Sequence, residues 1–504
     1  MSCAAASVGR EGGQQWIGLL LCYESLINSA SMSVNRFKTK RQSEQEFRKK
    51  LRTVPFIPVL WRPTTVKYDE TEVRLSGSAG LGFMTDLFCD DPLFDNFREC
   101  LPTRRSNSSY DSEIFAMTTI LSFIEGHDCI EDIAAFENDP FVLKKLGGEI
   151  PSTYAMGDYY RDFSKENREE LNSFLRTFAR RSRKQVAPGE PLIIDIDSTS
   201  HVQRGLKTEG VEWSYKGEWC LDSLTAWDEL GFCHGMELRP GRTFSSQGAP
   251  ELICKVFSHL KHGDKKYLRA DSAFHNKDCV LACVGAGAQF TITAHRNSTW
   301  EDKVRAGSIT TWTPWEYTRE ELEKAAQQKV KLPEVELGSM VYKPGWSENL
   351  RFYVVVKRTL VKGKNGNEVW KYYGIVTNWS LFQTKLQTLV EFHQKRANSE
   401  NFIKEEKWAY DFLHFPMQKL HANHAFGLLG MVAHNLLRTI ALIHNRRRPL
   451  FAKALRRKFV HIPGRLVSSS SRWWIRIPAY YRKEVEDVMR GWAETLQSAL
   501  ARAG

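Results

Sequence analysis

Residues 393–407, HQKRANSENFIKEEK, put His393, Arg396, Glu400, Lys404 and Lys407 at steps of three or four. In one continuous helix all five would share a stripe, with a single carboxylate among four basic or titratable side chains. Two apolar runs upstream also carry carboxylates. PLIIDIDST reads as a buried strand in which Asp195 and Asp197, two apart, face the same way near its C-terminal end. KKYLRADSAF reads as a second strand ending in Asp271. Apolar strands that terminate in Asp suit hard cations such as Mg²⁺, which take oxygen ligands on a rigid frame. A lone Asp in such a place is ordinarily a turn residue or cap, and a solvated helix face would suit Glu405 and Glu406 equally well. Neither reading accounts for the Asp strands and the embedded Glu400 together.

The elements that must position these groups are legible as a change of texture along the chain. Residues 1–53 read as a leader followed by a basic arm, MSVNRFKTKRQSEQEFRKKLRT, with the start of translation open to reassignment at Met32. From 54 to 185 the apolar spacing is helical, as in SEIFAMTTILSFIEGHD, and Ser152 or Thr153 is placed to cap a further helix. VAPGE marks a boundary. Residues 186–299 then read as three strands, helix, strand, helix, strand, the first three antiparallel, which predicts a mixed sheet with helices on its faces. Residues 300–373 form a β-rich insertion with a hairpin turning at Asn365-Gly366. Residues 374–443 return to the core, and 444–504 form a basic C-terminal segment for DNA binding or dimerisation.

The charge is segregated. The chain of 504 residues carries a formal +12, yet residues 412–483 contain fourteen Lys or Arg and no Asp or Glu. Such separation is the footprint of a partner with a phosphate backbone, and Arg446, Arg447 and Arg448 are the candidate contacts within it. Aromatic residues such as Trp473, Trp474 and Tyr480 are interleaved with the charge, unlike a merely solvated tail. The ten Cys include no C-x-x-C pair, so reduced thiols are expected, and no apolar run is read as a membrane span.

The spacing His393-(2)-Arg396-(3)-Glu400-(6)-Lys407 resembles the Y-(2)-R-(3)-E-(6)-K signature of bacterial insertion-sequence DDE transposases, with His where Tyr is usual. DIDST resembles the first-Asp motif of that family and RADSAF its second. LRPGRTFSSQGA between them, and LSGSAGLGFMTDLF near the amino terminus, are similar to segments of one cut-and-paste group. The resemblance spans roughly residues 75–440. It implies a ribonuclease H-like core in which Asp197, Asp271 and Glu400 hold two Mg²⁺ ions, with Mn²⁺ able to substitute. Asp197 rather than Asp195 is the expected ligand, because it precedes Ser198-Thr199. His393, Arg396, Lys404 and Lys407 would contact DNA, with a role that needs a phenol lost at His393.

The same resemblance implies a homodimer on paired double-stranded ends, cutting its element's inverted repeats and joining the 3′-hydroxyls to target DNA, in the bacterial cytoplasm at the nucleoid. The rival readings are a catalytically silent DNA-binding protein and a nuclease of the same fold. The insertion's tryptophans, Trp300, Trp312, Trp315, Trp346 and Trp370, with Trp379 beyond, are either core residues or a stack for a flipped base.

Overall fold

The computed structural model describes residues 71–500 apart from 105–107, 206, 259, 261–262, 297–298, 364, 413 and 470–471; the expected leader and arm lie outside the described residues. A two-residue strand β1 (Leu75–Ser76) leads into helices α1 (Gly80–Cys89), α2 (Ser112–Glu125) and α3 (Lys165–Val186), with shorter helical turns between them. Local chemistry sets these boundaries. Gly126 ends α2 in the left-handed region (φ 102°), where a side chain would be strained. Ser164 and Asn167 close a capping box at the start of α3.

The apolar stretches after the VAPGE boundary form one mixed sheet. Strand β2 (Leu192–Val202) pairs antiparallel with β4 (Trp219–Asp228), which also carries the short β3 (Glu212–Trp213) and the antiparallel β5 (Cys233–Pro240). Helix α4 (Ala249–Phe257) crosses back, so that β6 (Lys266–Ala270) lies parallel to β2 on its free edge. Helix α5 (Lys277–Gly285) leads to β7 (Gln289–Thr293), parallel to β6. The spatial order β5-β4-β2-β6-β7 is that of a ribonuclease H-like core.

The β-rich stretch that follows continues this sheet. Strands β8 (Thr313–Pro314), β9 (Val335–Tyr342), β10 (Phe352–Lys362) and β11 (Glu368–Thr377) add antiparallel rungs, and β11 docks on β7 through Ile375–Thr377. The β10–β11 hairpin turns at Gly366 (φ 78°), as the Asn-Gly pair predicts. The insertion's indole faces are largely occupied. The Arg358 guanidinium lies 3.9 Å from the ring centre of Trp312 and 4.3 Å from that of Trp370; Lys357 covers Trp315, and Trp300 is buried.

Because strand side chains alternate, the two faces of β2 and β6 take different partners. Ile194, Ile196, Leu268 and Ala270 face α4 and α5 in one apolar cluster. Asp195, Asp197 and Arg269 face the other way, toward helices α6 (Leu386–Gln394) and α7 (Ser399–Ala409). Helix α8 (Leu420–His444) is long and apolar enough to cross a membrane by length and composition, but 94% of its apolar window is buried. It carries only one arginine, Arg438, because it is the axis of the largest core, packed against α2, α3 and β5. The chain finishes with β12 (Gly464–Ser469), which pairs with β1 and with β13 (Arg472–Arg476), and helix α9 (Ala479–Leu500).

Candidate active site

Strand β2 is longer than its sequence implies, running on to Val202, so Asp197 lies mid-strand rather than at the end. What opens the site is the departure of β6. The parallel register pairs Asp195 with Arg269 and Ile196 with Ala270, and β6 stops there; Asp271 follows at once, close enough for its charge to act on Asp197. Asp271 caps the following turn, its Oδ1 accepting the Ala273 N–H at 2.9 Å, while Asp197 Oδ1 accepts the Ser198 N–H at 2.9 Å. Burial raises the Asp197 pKa, opposed by Arg396, and the charge of Asp271 raises it further. Two carboxylates that repel one another at a sheet edge are a suitable donor set for a hard cation. Asp271 Oδ2 has no hydrogen-bond partner among the described residues.

Asp195 has a different task. Its two oxygens each accept a hydrogen bond from the Arg269 guanidinium at 2.7 Å, and both residues are buried. Arg269 Nη1 donates in turn to the Phe392 carbonyl at 3.0 Å, tying α6 to the sheet. The ion pair counters the burial that pushes the Asp195 carboxyl up to about 6. Asp195 is therefore a bracket for the neighbouring helix, and Asp197 alone of the two reaches the open edge.

The expected continuous helical stripe is broken. Residues Lys395–Asn398 form a 3₁₀ turn between α6 and α7, and its tighter winding rotates the side chains relative to one another. Arg396 Nη1 donates to Asp197 Oδ2 at 3.2 Å. Glu400, on the first turn of α7, is exposed and has no hydrogen bond or ion pair among the described residues. Lys404 is exposed. Lys407 is half-buried, near Glu406, Glu218 and Lys216, and burial lowers its pKa.

His393 departs most from expectation. Instead of a surface contact for phosphate or sugar, it is 2% exposed, with Nδ1 3.0 Å from Thr291 Oγ1 and Nε2 3.0 Å from both Thr293 Oγ1 and the Tyr373 hydroxyl. Burial, with Arg396 and Arg269 nearby, pushes its pKa down to about 3, so the ring is neutral. The residue that sequence reasoning missed is Tyr373. Its phenol, brought by β11, is 37% exposed and close enough to Arg396 and Asp271 to sense both charges. Local spacing carries no signal for it, because twenty residues and a helix turn separate it from His393.

The LRPGRTFSSQGA segment also finds a physical role. Arg239 Nε donates to Asp222 Oδ1 at 2.8 Å, and Asp222 Oδ2 accepts from Ser198 Oγ at 2.7 Å, beside Asp197. The carbonyls of Ser245 and Gln247 hold the same guanidinium. Gly241 is required because a Cβ there would overlap the Cys220 carbonyl.

Elsewhere among the described residues, Asp128, Cys129 and Asp132 bring potential ligand atoms within 4.8 Å of one another. That cluster is a capping box: Asp132 accepts the backbone N–H groups of Asp128 and Cys129 at 3.1 and 3.2 Å. Arg446 pairs with Glu190, whereas the side chains of Arg447 and Arg448 stand free in an exposed loop ordered by Asn445.

No curated protein matches the chain. The mixed sheet, the two Asp at the departure of β6 and the basic turn that meets them agree with the match of residues 62–499 to the family described as transposase DDE domain group 1, and the chain belongs to that family of DDE transposases.

Proposed function

We propose that this transposase cleaves the inverted-repeat ends of its own element and joins the freed 3′-hydroxyls to target DNA, with Asp197, Asp271 and Glu400 as the acting carboxylates. The observation that carries this reading is that Asp197, with Arg396 at 3.2 Å, lies just past the point where β6 leaves β2, close enough to Asp271 that each carboxylate feels the other's charge. The donor set of half-buried carboxylate oxygens, oriented by backbone N–H groups, fits Mg²⁺ or Mn²⁺. When bound there, a pair of such ions supplies charge neutralisation at the attacking and leaving oxygens of an in-line displacement.

The chain's own residues do the rest. Asp197 holds its carboxylate on β2 and Asp271 on the turn that follows β6, and Glu400 is assigned as the third from the first turn of α7. Arg396 is aimed along the same line and offers a planar donor fork to the phosphate beside the scissile bond. Lys404 presents its charge to the flanking backbone, and Lys407 sits further along the same helix. Water is the nucleophile for cleavage and the 3′-hydroxyl the nucleophile for joining. Two ends must be cut together, so the working unit is a homodimer on paired duplex ends.

The test is a purified-protein reaction on duplexes that carry the inverted repeats flanking the gene, with Mg²⁺ or Mn²⁺ present. Joined products support the transposase reading. Cleavage without joining reassigns the protein as a nuclease, and binding without either reassigns it as a silent DNA-binding protein.

A further inference from the structure

We propose that the outward face of the β12–β13 ribbon is a contact surface for duplex DNA. This inference rests on the transposase reading and adds a site some distance along the chain from the carboxylates. The ribbon's register pairs Arg465 with Arg476, Val467 with Trp474 and Ser469 with Arg472, and these three rungs share one face. The intervening rung, Leu466 with Ile475, points the other way into a cluster with Ala79 and Phe141. The core therefore decides which face is outward, and that face carries three arginines around Trp474, which is 54% exposed.

Two features distinguish this face from an ordinary solvated surface. Arg465 stands directly opposite Arg476, a like-charge cross-strand pair that costs stability unless an external anion neutralises it. Among the described residues, no carboxylate pairs with Arg465, Arg472 or Arg476. The opposite side of the tip is cationic as well: the Arg74 guanidinium and the Lys144 ammonium lie 5.4 and 4.6 Å from the Trp473 ring centre.

The base of the ribbon is fixed. Strand β1 pairs along β12, the Leu466 N–H donates to the Arg74 carbonyl at 3.0 Å, and a Cβ at Gly464 would overlap the Ala79 methyl. A two-stranded ribbon has the width of the B-DNA major groove. Arg472 and Arg476, four residues apart, span about 13 Å at roughly 3.3 Å per residue. With one phosphate per strand for about every 3.4 Å of axis, that reach covers several phosphates. Trp474 between them supplies a flat apolar surface for a sugar or base edge.

The experiment uses the full-length protein and a duplex of arbitrary sequence, with affinity measured by anisotropy at several salt concentrations without divalent metal. Arg465→Gln, Arg472→Gln and Arg476→Gln combined should weaken binding by on the order of 10–100-fold and reduce the salt slope by up to roughly 2.7, about 0.9 for each phosphate no longer neutralised. The melting temperature should hold or rise, because a like-charge pair is removed. Trp474→Phe provides a second reading: duplex should quench wild-type tryptophan fluorescence more than that of the variant. Unchanged affinity and slope, or equal quenching, overturns the proposal. A change in sedimenting mass with the slope unchanged also overturns it, assigning the face to a second copy of the chain. Because binding needs no cleavage, a protein that binds through the ribbon yet never cuts refutes the catalytic reading alone.

Discussion

The Tyr373 hydroxyl lies 3.0 Å from Nε2 of His393, and Tyr373 is close enough to Arg396 and Asp271 to feel both charges. The signature position thus holds a buried imidazole, while a phenol from a strand twenty residues earlier reaches the site's rim. Tyr373→Phe keeps the packing and removes the hydroxyl, so cleavage should fall about tenfold with the melting temperature nearly unchanged. His393→Tyr restores the usual signature residue but adds volume to a filled position, where overpacking costs about 1–3 kcal/mol. It should lower the melting temperature by several degrees without raising cleavage; a stable, more active His393→Tyr enzyme would show that the pocket can open.

Asp195 and Asp197 should fail in different ways. Asp197→Ala, Asp271→Ala and Glu400→Ala should abolish cleavage while duplex binding and melting stay close to wild type, because phosphate contacts dominate affinity. Asp195→Ala strands the buried Arg269 guanidinium, and breaking such a pair from one side costs about 3–5 kcal/mol. Calorimetry should therefore show Asp195→Ala markedly destabilised. An Asp195→Ala protein that melts normally and does not cut would make Asp195 a direct participant.

The Arg446–Arg448 loop divides into one engaged and two free cations. Arg446 is tied to Glu190, so Arg447→Ala with Arg448→Ala should account for most of the effect of replacing all three. The salt slope should fall by about 0.9 for each phosphate that the loop neutralises, read from duplex binding across a salt series. A double variant indistinguishable from wild type would make the loop a bystander.

Glu406 gives the protein a pH dependence with a definite sign. It is fully buried on the inner face of α7, both oxygens lack hydrogen-bond partners among the described residues, and burial pushes its carboxyl up to about 8 from 4.5. Its folded pKa is raised, so its favourable contribution is full below about pH 4.5 and is lost as pH rises through about 8. Glu406→Gln removes that dependence. The variant should match wild type near pH 4.5 and exceed it at pH 8 by on the order of 4–5 kcal/mol, since each tenfold change in proton affinity is worth about 1.4 kcal/mol. His201, 3.7 Å away, slopes in the opposite sense. Burial lowers its pKa to about 3, so its stabilisation is present above pH 6.5 and fades as pH falls toward 3. Equal melting of wild type and Glu406→Gln at pH 8 would mean that the carboxyl is not buried as described.

Much of the sheet was legible because strands and hairpins announce themselves locally. The alternation in LIIDIDST, the antiparallel pair that follows it and the Asn-Gly turn each depend on a few adjacent residues. The helix break at Lys395–Asn398 was not legible, since KRAN contains no Gly or Pro and its helical spacing continues on both sides. Its cause is tertiary. Arg396 turns toward Asp197, while His393 is held by Thr291, Thr293 and Tyr373, and one unbroken helix would set both residues on a single stripe.

By itself the sequence offered three candidate carboxylates, the order of the strands and the concentration of positive charge near the C-terminus, because each is a matter of residue type and short spacing. Only the tertiary structure decided which of two aspartates two residues apart is free to act. Asp195 and Asp197 are equivalent in local pattern. The difference between them is Arg269, seventy-four residues away, which the parallel register sets beside Asp195, and the end of β6 one residue later, which leaves Asp197 at an open edge.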